Sequence, residues 1–119
     1  MKSVLSSMCF FALVAANMGL TDGPAFASSS QAGRVTTAIV NRSGRFFFHH
    51  DGARSAPPAC QVHQRWVVDL STAHGQVMMA LVLTAQAQNK PVVVHGTGDC
   101  RHWEDTEAVD VLYVPWHSY

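Results

Sequence analysis

One stretch of this chain sets its architecture. Residues 73–89 (AHGQVMMALVLTAQAQN) carry a helical pattern, and the runs on either side carry a strand pattern. Side chains return to one face every 3.6 residues in a helix and every second residue in a strand, so a change of period marks a change of element. Within 73–89, Val77, Leu81, Thr84, Ala85 and Gln88 fall three and four apart, and Met78, Val82 and Leu83 widen the stripe. Ser71 or Thr72 supplies an N-cap, because each carries a side-chain oxygen for the free amides of the first turn. Asn89-Lys90-Pro91 ends the helix, since proline cannot continue the ladder.

Three β-runs precede the helix. Val35, Thr37 and Ile39 alternate with Thr36, Ala38 and Val40, predicting a half-buried strand, and Asn41-Arg42-Ser43-Gly44 is a turn signal. Phe46-Phe47-Phe48 and His49-His50 form the return strand of a hairpin. Residues 51–58 (DGARSAPP) read as a loop and 65–70 (RWVVDL) as a third strand. After the helix, residues 91–95 (PVVVH) form a fourth strand stopped by Gly96-Thr97-Gly98, and residues 108–115 (AVDVLYVP) form a fifth. Between them lies the charged loop 99–107, read as a solvated turn. The predicted fold is mainly β: a five-stranded OB-fold-like barrel of order β-β-β-α-β-β, its single helix between strands three and four plugging one end. A sheet carrying the helix on one face is the alternative.

The N-terminus carries an export pattern. Lys2 precedes an apolar run of 12 residues, Cys9 to Leu20, and Ala25-Phe26-Ala27 fits the small-x-small triplet of a signal-peptidase site. A membrane span needs about 20 apolar residues, and this run is broken by Asp22, Gly23 and Pro24. The chain therefore divides into a cleaved signal peptide at 1–27, a small polar flexible N-terminus at 28–33 and one domain at 34–119, in a secreted or periplasmic protein with no membrane span after cleavage. Lys plus Arg equal Asp plus Glu, eight each. The leader removes Lys2 and Asp22, so the mature chain stays neutral, which argues against a nucleic-acid partner. It also removes Cys9, leaving Cys60 and Cys100, which in an oxidising compartment read as one disulfide. That bond closes a loop of about 40 residues, worth about 3–4 kcal/mol on the chain-entropy model.

Pro57, Pro58 and Cys60, then Arg65-Trp66, then Gly96-Thr97-Gly98 and Cys100 resemble a pattern in small exported bacterial proteins. With the Ser-Thr start and Gln-Asn-Lys end of the helical run, they give the chain a resemblance to the B subunits of subtilase-cytotoxin and typhoid-toxin type AB5 toxins. That resemblance implies an OB-fold, assembly into a homo-oligomer (a pentamer in those toxins) and binding of sialylated glycans on host cells. The glycan-contacting serine of those toxins has no equivalent that can be placed on this chain.

Seven histidines invite a metal reading, with His49, His50 and His95 at strand ends and His102 in the loop after the fourth strand. None shows a recognised ligand spacing, so no metal and no cofactor is predicted. Asp69, Ser71, Thr72 and His74 lie close in sequence but read as a helix start, and no Gly-x-Ser-x-Gly elbow is present, so catalysis is not expected. Aromatic side chains with a few polar neighbours suit sugar recognition. Phe47, expected to point outward, and Trp103, with Asp99, Arg101 and His102 beside it, are the candidate ligand-binding residues. The function expected is a non-catalytic binding or interaction module for a glycan or host surface. The alternatives are a periplasmic structural or inhibitory protein with a protein partner, and a small histidine-based metal-binding or hydrolytic protein.

Overall fold

The computed structural model describes residues 28–115; the expected signal peptide and the aromatic tail at 116–119 lie outside the described residues. The chain runs β1 (Ser29–Ser30), β2 (Val35–Val40), β3 (Arg45–His50), β4 (Arg54–Ser55), β5 (Trp66–Asp69), α1 (Ala73–Ala87), β6 (Val93–Gly96) and β7 (Val109–Tyr113). The protein is mainly β with one helix, and the helix lies between the third and fourth of the longer strands, as expected. The strands do not close into a five-stranded barrel. They form two antiparallel sheets, of order β2-β3-β5 and β4-β1-β6-β7. A parallel bridge between Val67 and Ala108 joins the sheets where β5 meets the start of β7.

Local chemistry explains the β2–β3 hairpin. Asn41 Oδ1 accepts from the Ser43 and Arg45 amides at 3.1 and 3.0 Å, and Gly44 takes a φ of 75°, open to glycine without a Cβ clash. The turn sets a register in which Ala38 faces Phe48 and Val40 faces Phe46. The predicted half-burial of β2 is not met: only Val35 is buried, because β2 is the edge of its sheet.

The helix starts at Thr72, whose Oγ1 accepts from the Gly75 amide at 3.0 Å. Its buried face is Gly75, Met78, Val82 and Ala85. Met78, Val82 and Ala85 belong to the predicted stripe, whereas Val77, also placed in it, is 67% exposed. Two apolar rows of similar weight flank each other, and Gly75 decides between them. It is pressed so closely on the Asp69 carbonyl that no Cβ would fit, which turns the Gly75 row inward.

Those residues pack with Phe46, Phe48, Trp66, Val68, Val92, Val94 and Val109 in the main core. A second, smaller cluster of Phe47, Val67 and Ala108 lies on the other face of β3 and β5, with Trp103 against it.

The segment at 28–33, expected to be frayed, is built into the structure. Ser28 is fully buried, and β1 sits between β4 and β6, pairing Ser29 with Ser55 and with His95. The Ser30 hydroxyl takes a bond inside the sheet: its Oγ accepts from the Val94 amide at 3.0 Å.

Candidate functional site

Cys60 and Cys100 are bonded as expected, with sulfurs 2.05 Å apart. The bond anchors the start of the loop between β6 and β7, and two arginines pin that loop to the rest of the fold. Arg45 Nε donates to the His102 carbonyl at 3.0 Å while its Nη1 donates to Asp69 at 2.9 Å. Arg65 donates to the Thr106 hydroxyl at 3.0 Å and to Asp105 at 3.2 Å. The Trp103 carbonyl accepts from the Thr106 amide at 3.1 Å, closing a tight turn.

This loop folds over β3, which overturns one expectation. Phe47 does not point to solvent; it is 3% exposed. The Trp103 ring meets it edge-on at 5.3 Å between centroids, and the Arg65 guanidinium lies 4.3 Å over its face. Alternation correctly puts Phe47 opposite Phe46 and Phe48, but pattern alone could not show that the loop supplies a second cover.

The other candidates stay together. Cys100, Arg101, His102, Trp103 and Glu104 line an open depression of about 380 Å³, with Trp103 half-buried as its apolar wall. Asp99 holds Arg101 in a two-pronged pair, Nε to Oδ1 at 2.8 Å and Nη2 to Oδ2 at 2.9 Å. The Arg101 bond, helped by the Thr97 hydroxyl, lowers the Asp99 pKa from 3.8 to about 2. Arg101, which lines the depression, is therefore held in an ionised pair at any physiological pH. His102 turns inward, its Nδ1 4.0 Å from Asp69 Oδ2.

The strand-end histidines do not gather. His49 is lowered by burial and by the charges of Arg65 and His63. His50 accepts the Gly52 amide on Nδ1 at 3.0 Å, so its neutral ring donates from Nε2 to Ser30 Oγ at 2.9 Å, and burial pushes its pKa down. His95 stacks on Tyr113 at 6.1 Å. Among the described residues, no group of three or more His, Cys, Asp or Glu side chains is placed to hold a metal ion. At the helix start, Asp69 accepts from the Ser71 amide, and Thr72 Oγ1 is engaged by Gly75. Asp69, Thr72, His74 and His102 border a notch of about 60 Å³, too narrow for a substrate.

Sequence reasoning missed one buried constellation. Glu107, read as part of a solvated turn, is fully buried. Its carboxylate accepts from the Ser28 hydroxyl, from Arg54 Nη2 at 2.7 Å and from the Gly98 amide at 2.8 Å. Arg54 also lies 3.5 Å over the Trp66 ring and donates to the Arg65 carbonyl at 3.1 Å. Burial lowers the Arg54 pKa, and the Glu107 bond opposes that shift. The turn at Gly96-Thr97-Gly98 serves this carboxylate: a Cβ on Gly96 would collide with Glu107 Oε2, and Gly98 takes a φ of 85° to aim its amide. The glycine pair was the only available signal, and pattern could not say what approached it.

Comparison with known proteins finds no match: no protein family, no curated protein and no solved structure is similar to the chain.

Proposed function

We propose that this chain is an exported, non-catalytic binding module whose recognition surface is the disulfide-held loop from Asp99 to Glu104. The observation that carries the reading is Trp103, half-buried at the wall of an open depression and backed by Phe47, with Arg101, His102 and Glu104 around it. An indole with a rigid backing offers a flat apolar face, and the flanking charged groups offer directional hydrogen bonds, which is the chemistry that holds a sugar ring. The resemblance to AB5 toxin B subunits points to the same class, a glycan, with a sialylated one first. The order of the five longer strands around α1 supports an OB-like plan with the barrel left open. The disulfide supports a secreted or periplasmic address, and among the described residues no helix is long and apolar enough to cross a membrane. A glycan array probed with disulfide-intact protein and with Trp103→Ala tests the reading. Sugar hits lost in the variant support it, and a folded protein with no hits removes sugars from first place.

A second reading, a protein partner or a further copy of the chain, is favoured by the sheet edges. Ile39 (41%) and Val40 (60%) on edge strand β2, and Val111 (48%) and Tyr113 (45%) on edge strand β7, leave apolar side chains beside unpaired backbone. Light scattering on the mature protein tests it, and a strict monomer counts against self-assembly.

A further inference from the structure

The buried carboxylate of Glu107 has no part in the loop's recognition surface, and its partners point to a different role. Ser28 is wholly enclosed: its carbonyl accepts from the Gly96 amide at 2.7 Å, and its hydroxyl donates to Glu107 and accepts from Arg54 Nε at 3.2 Å. Sequence independently places the export cut immediately before this residue, after Ala25-Phe26-Ala27. The expected cut thus falls immediately before a residue whose carbonyl and hydroxyl are both held inside the fold.

We propose that Glu107 and Arg54 form a seat for the chain's own processed N-terminal residue, and that the α-amino group of Ser28 is received there by the Glu107 carboxylate. Hydrolysis of the Ala27–Ser28 amide by an export protease consumes one water and leaves a carboxylate on Ala27 and an ammonium on Ser28. The Ser28 nitrogen and hydroxyl hang on neighbouring carbons of one residue, so the new amine is formed beside the carboxylate that already binds the hydroxyl. A carboxylate offers about four acceptor positions. Arg54, the Ser28 hydroxyl and the Gly98 amide fill three, and the amine takes the fourth. Arg54 also lies over the Trp66 face and donates to the Arg65 carbonyl. Because Glu107 also holds the Gly98 amide, removal of the leader is tied to the base of the loop that carries Trp103.

The mature chain contains one lysine, Lys90, which is exposed, so it serves as an internal standard. Full-length protein is exported with its own leader, and the disulfide-intact product is weighed and then treated with a limiting activated ester near neutral pH. A free α-amine has a pKa of about 7.7–8.0 against about 10.4 for lysine, so an exposed one reacts first. The expected result is a chain beginning at Ser28 that is acylated first at Lys90, with the α-amine becoming the faster site only after unfolding. A mature chain starting elsewhere, or a folded protein whose α-amine reacts ahead of Lys90, overturns the proposal. Glu107→Gln is expected to raise the α-amine's reactivity relative to Lys90 by about tenfold. A folded variant that keeps the amine protected overturns the role of Glu107, and if the variant does not fold the wild-type order of labelling decides alone.

Discussion

Replacing Glu107 by Gln is the most informative single change. The Glu107 side chain is 0% exposed and that of its partner Arg54 is 7% exposed, so neither charge has water to fall back on. Removing one member of such a pair leaves the other buried and uncompensated, at a cost of about 3–5 kcal/mol. Glutamine keeps the shape and one acceptor oxygen, but its amide brings hydrogens to a site crowded with donors: Arg54 Nη2, the Ser28 hydroxyl and the Gly98 amide. For a domain of about 60–100 residues, each kcal/mol moves Tm by about 4–8 °C, so a loss of about 3 kcal/mol lowers Tm by roughly 12–24 °C. Thermal unfolding followed by near-UV circular dichroism measures it on the disulfide-intact protein. Asp99→Asn, which breaks an ion pair whose side chains are about half exposed, serves as the control and is expected to shift Tm little. A drop below about 1 kcal/mol for Glu107→Gln would refute the view that this buried pair organises the junction of β1, β4 and the loop.

Three further outcomes follow from the same geometry. Replacing Cys60 and Cys100 by serine, which opens a closure spanning 40 residues, is expected to cost about 4 kcal/mol in denaturant titrations, and a loss under about 1 kcal/mol contradicts it. Met78→Ala, at a buried site, is expected to cost about 2–4 kcal/mol, while Val77→Ala, at 67% exposure, stays within about 0.5 kcal/mol; equal losses would mean that the helix presents its other row. The Asp99 carboxyl should titrate near about 2 by NMR, and Arg101→Ala should return it toward 3.8. Its folded pKa lies below the unfolded one, so whatever the pair contributes is complete above the unfolded value and is lost as the pH falls through about 2. An unshifted Asp99 would mean that the two-pronged pair does not form in solution.

The elements were readable from sequence because their signals are local. Period, the Asn41–Gly44 turn and a capping Thr72 each report on a few adjacent residues, and a lone cysteine pair has one pairing. What could not be read depends on pieces distant in the chain. Phe47 was given to solvent because alternation reports which face a residue takes, and says nothing of whether a loop some 50 residues later covers that face. Val77 and Met78 were placed in one wide stripe because both are apolar, and which of them turns inward rests on how closely Gly75 approaches Asp69. Glu107 looked like one of several loop carboxylates, and only the convergence of Ser28, Arg54 and Gly98 takes it inside. Ser28 and its neighbours looked frayed for the same reason, since small polar residues carry no burial signal until partners for their hydroxyls are known. The surface cluster around Trp103 was legible because it is contiguous in sequence and held at one end by the predicted disulfide.

Recognition through Trp103 is tested most directly by NMR of the tryptophan indole N–H signals while the mature, disulfide-intact protein is titrated with sialyllactose. Trp103 stands in the open depression, whereas Trp66 is 2% exposed beneath Arg54. The expected result is a saturable shift of the Trp103 indole signal, with Trp66 unmoved and the response abolished in Trp103→Ala. A folded protein whose Trp103 signal stays fixed through the titration, or which responds equally well in Trp103→Ala, would contradict it.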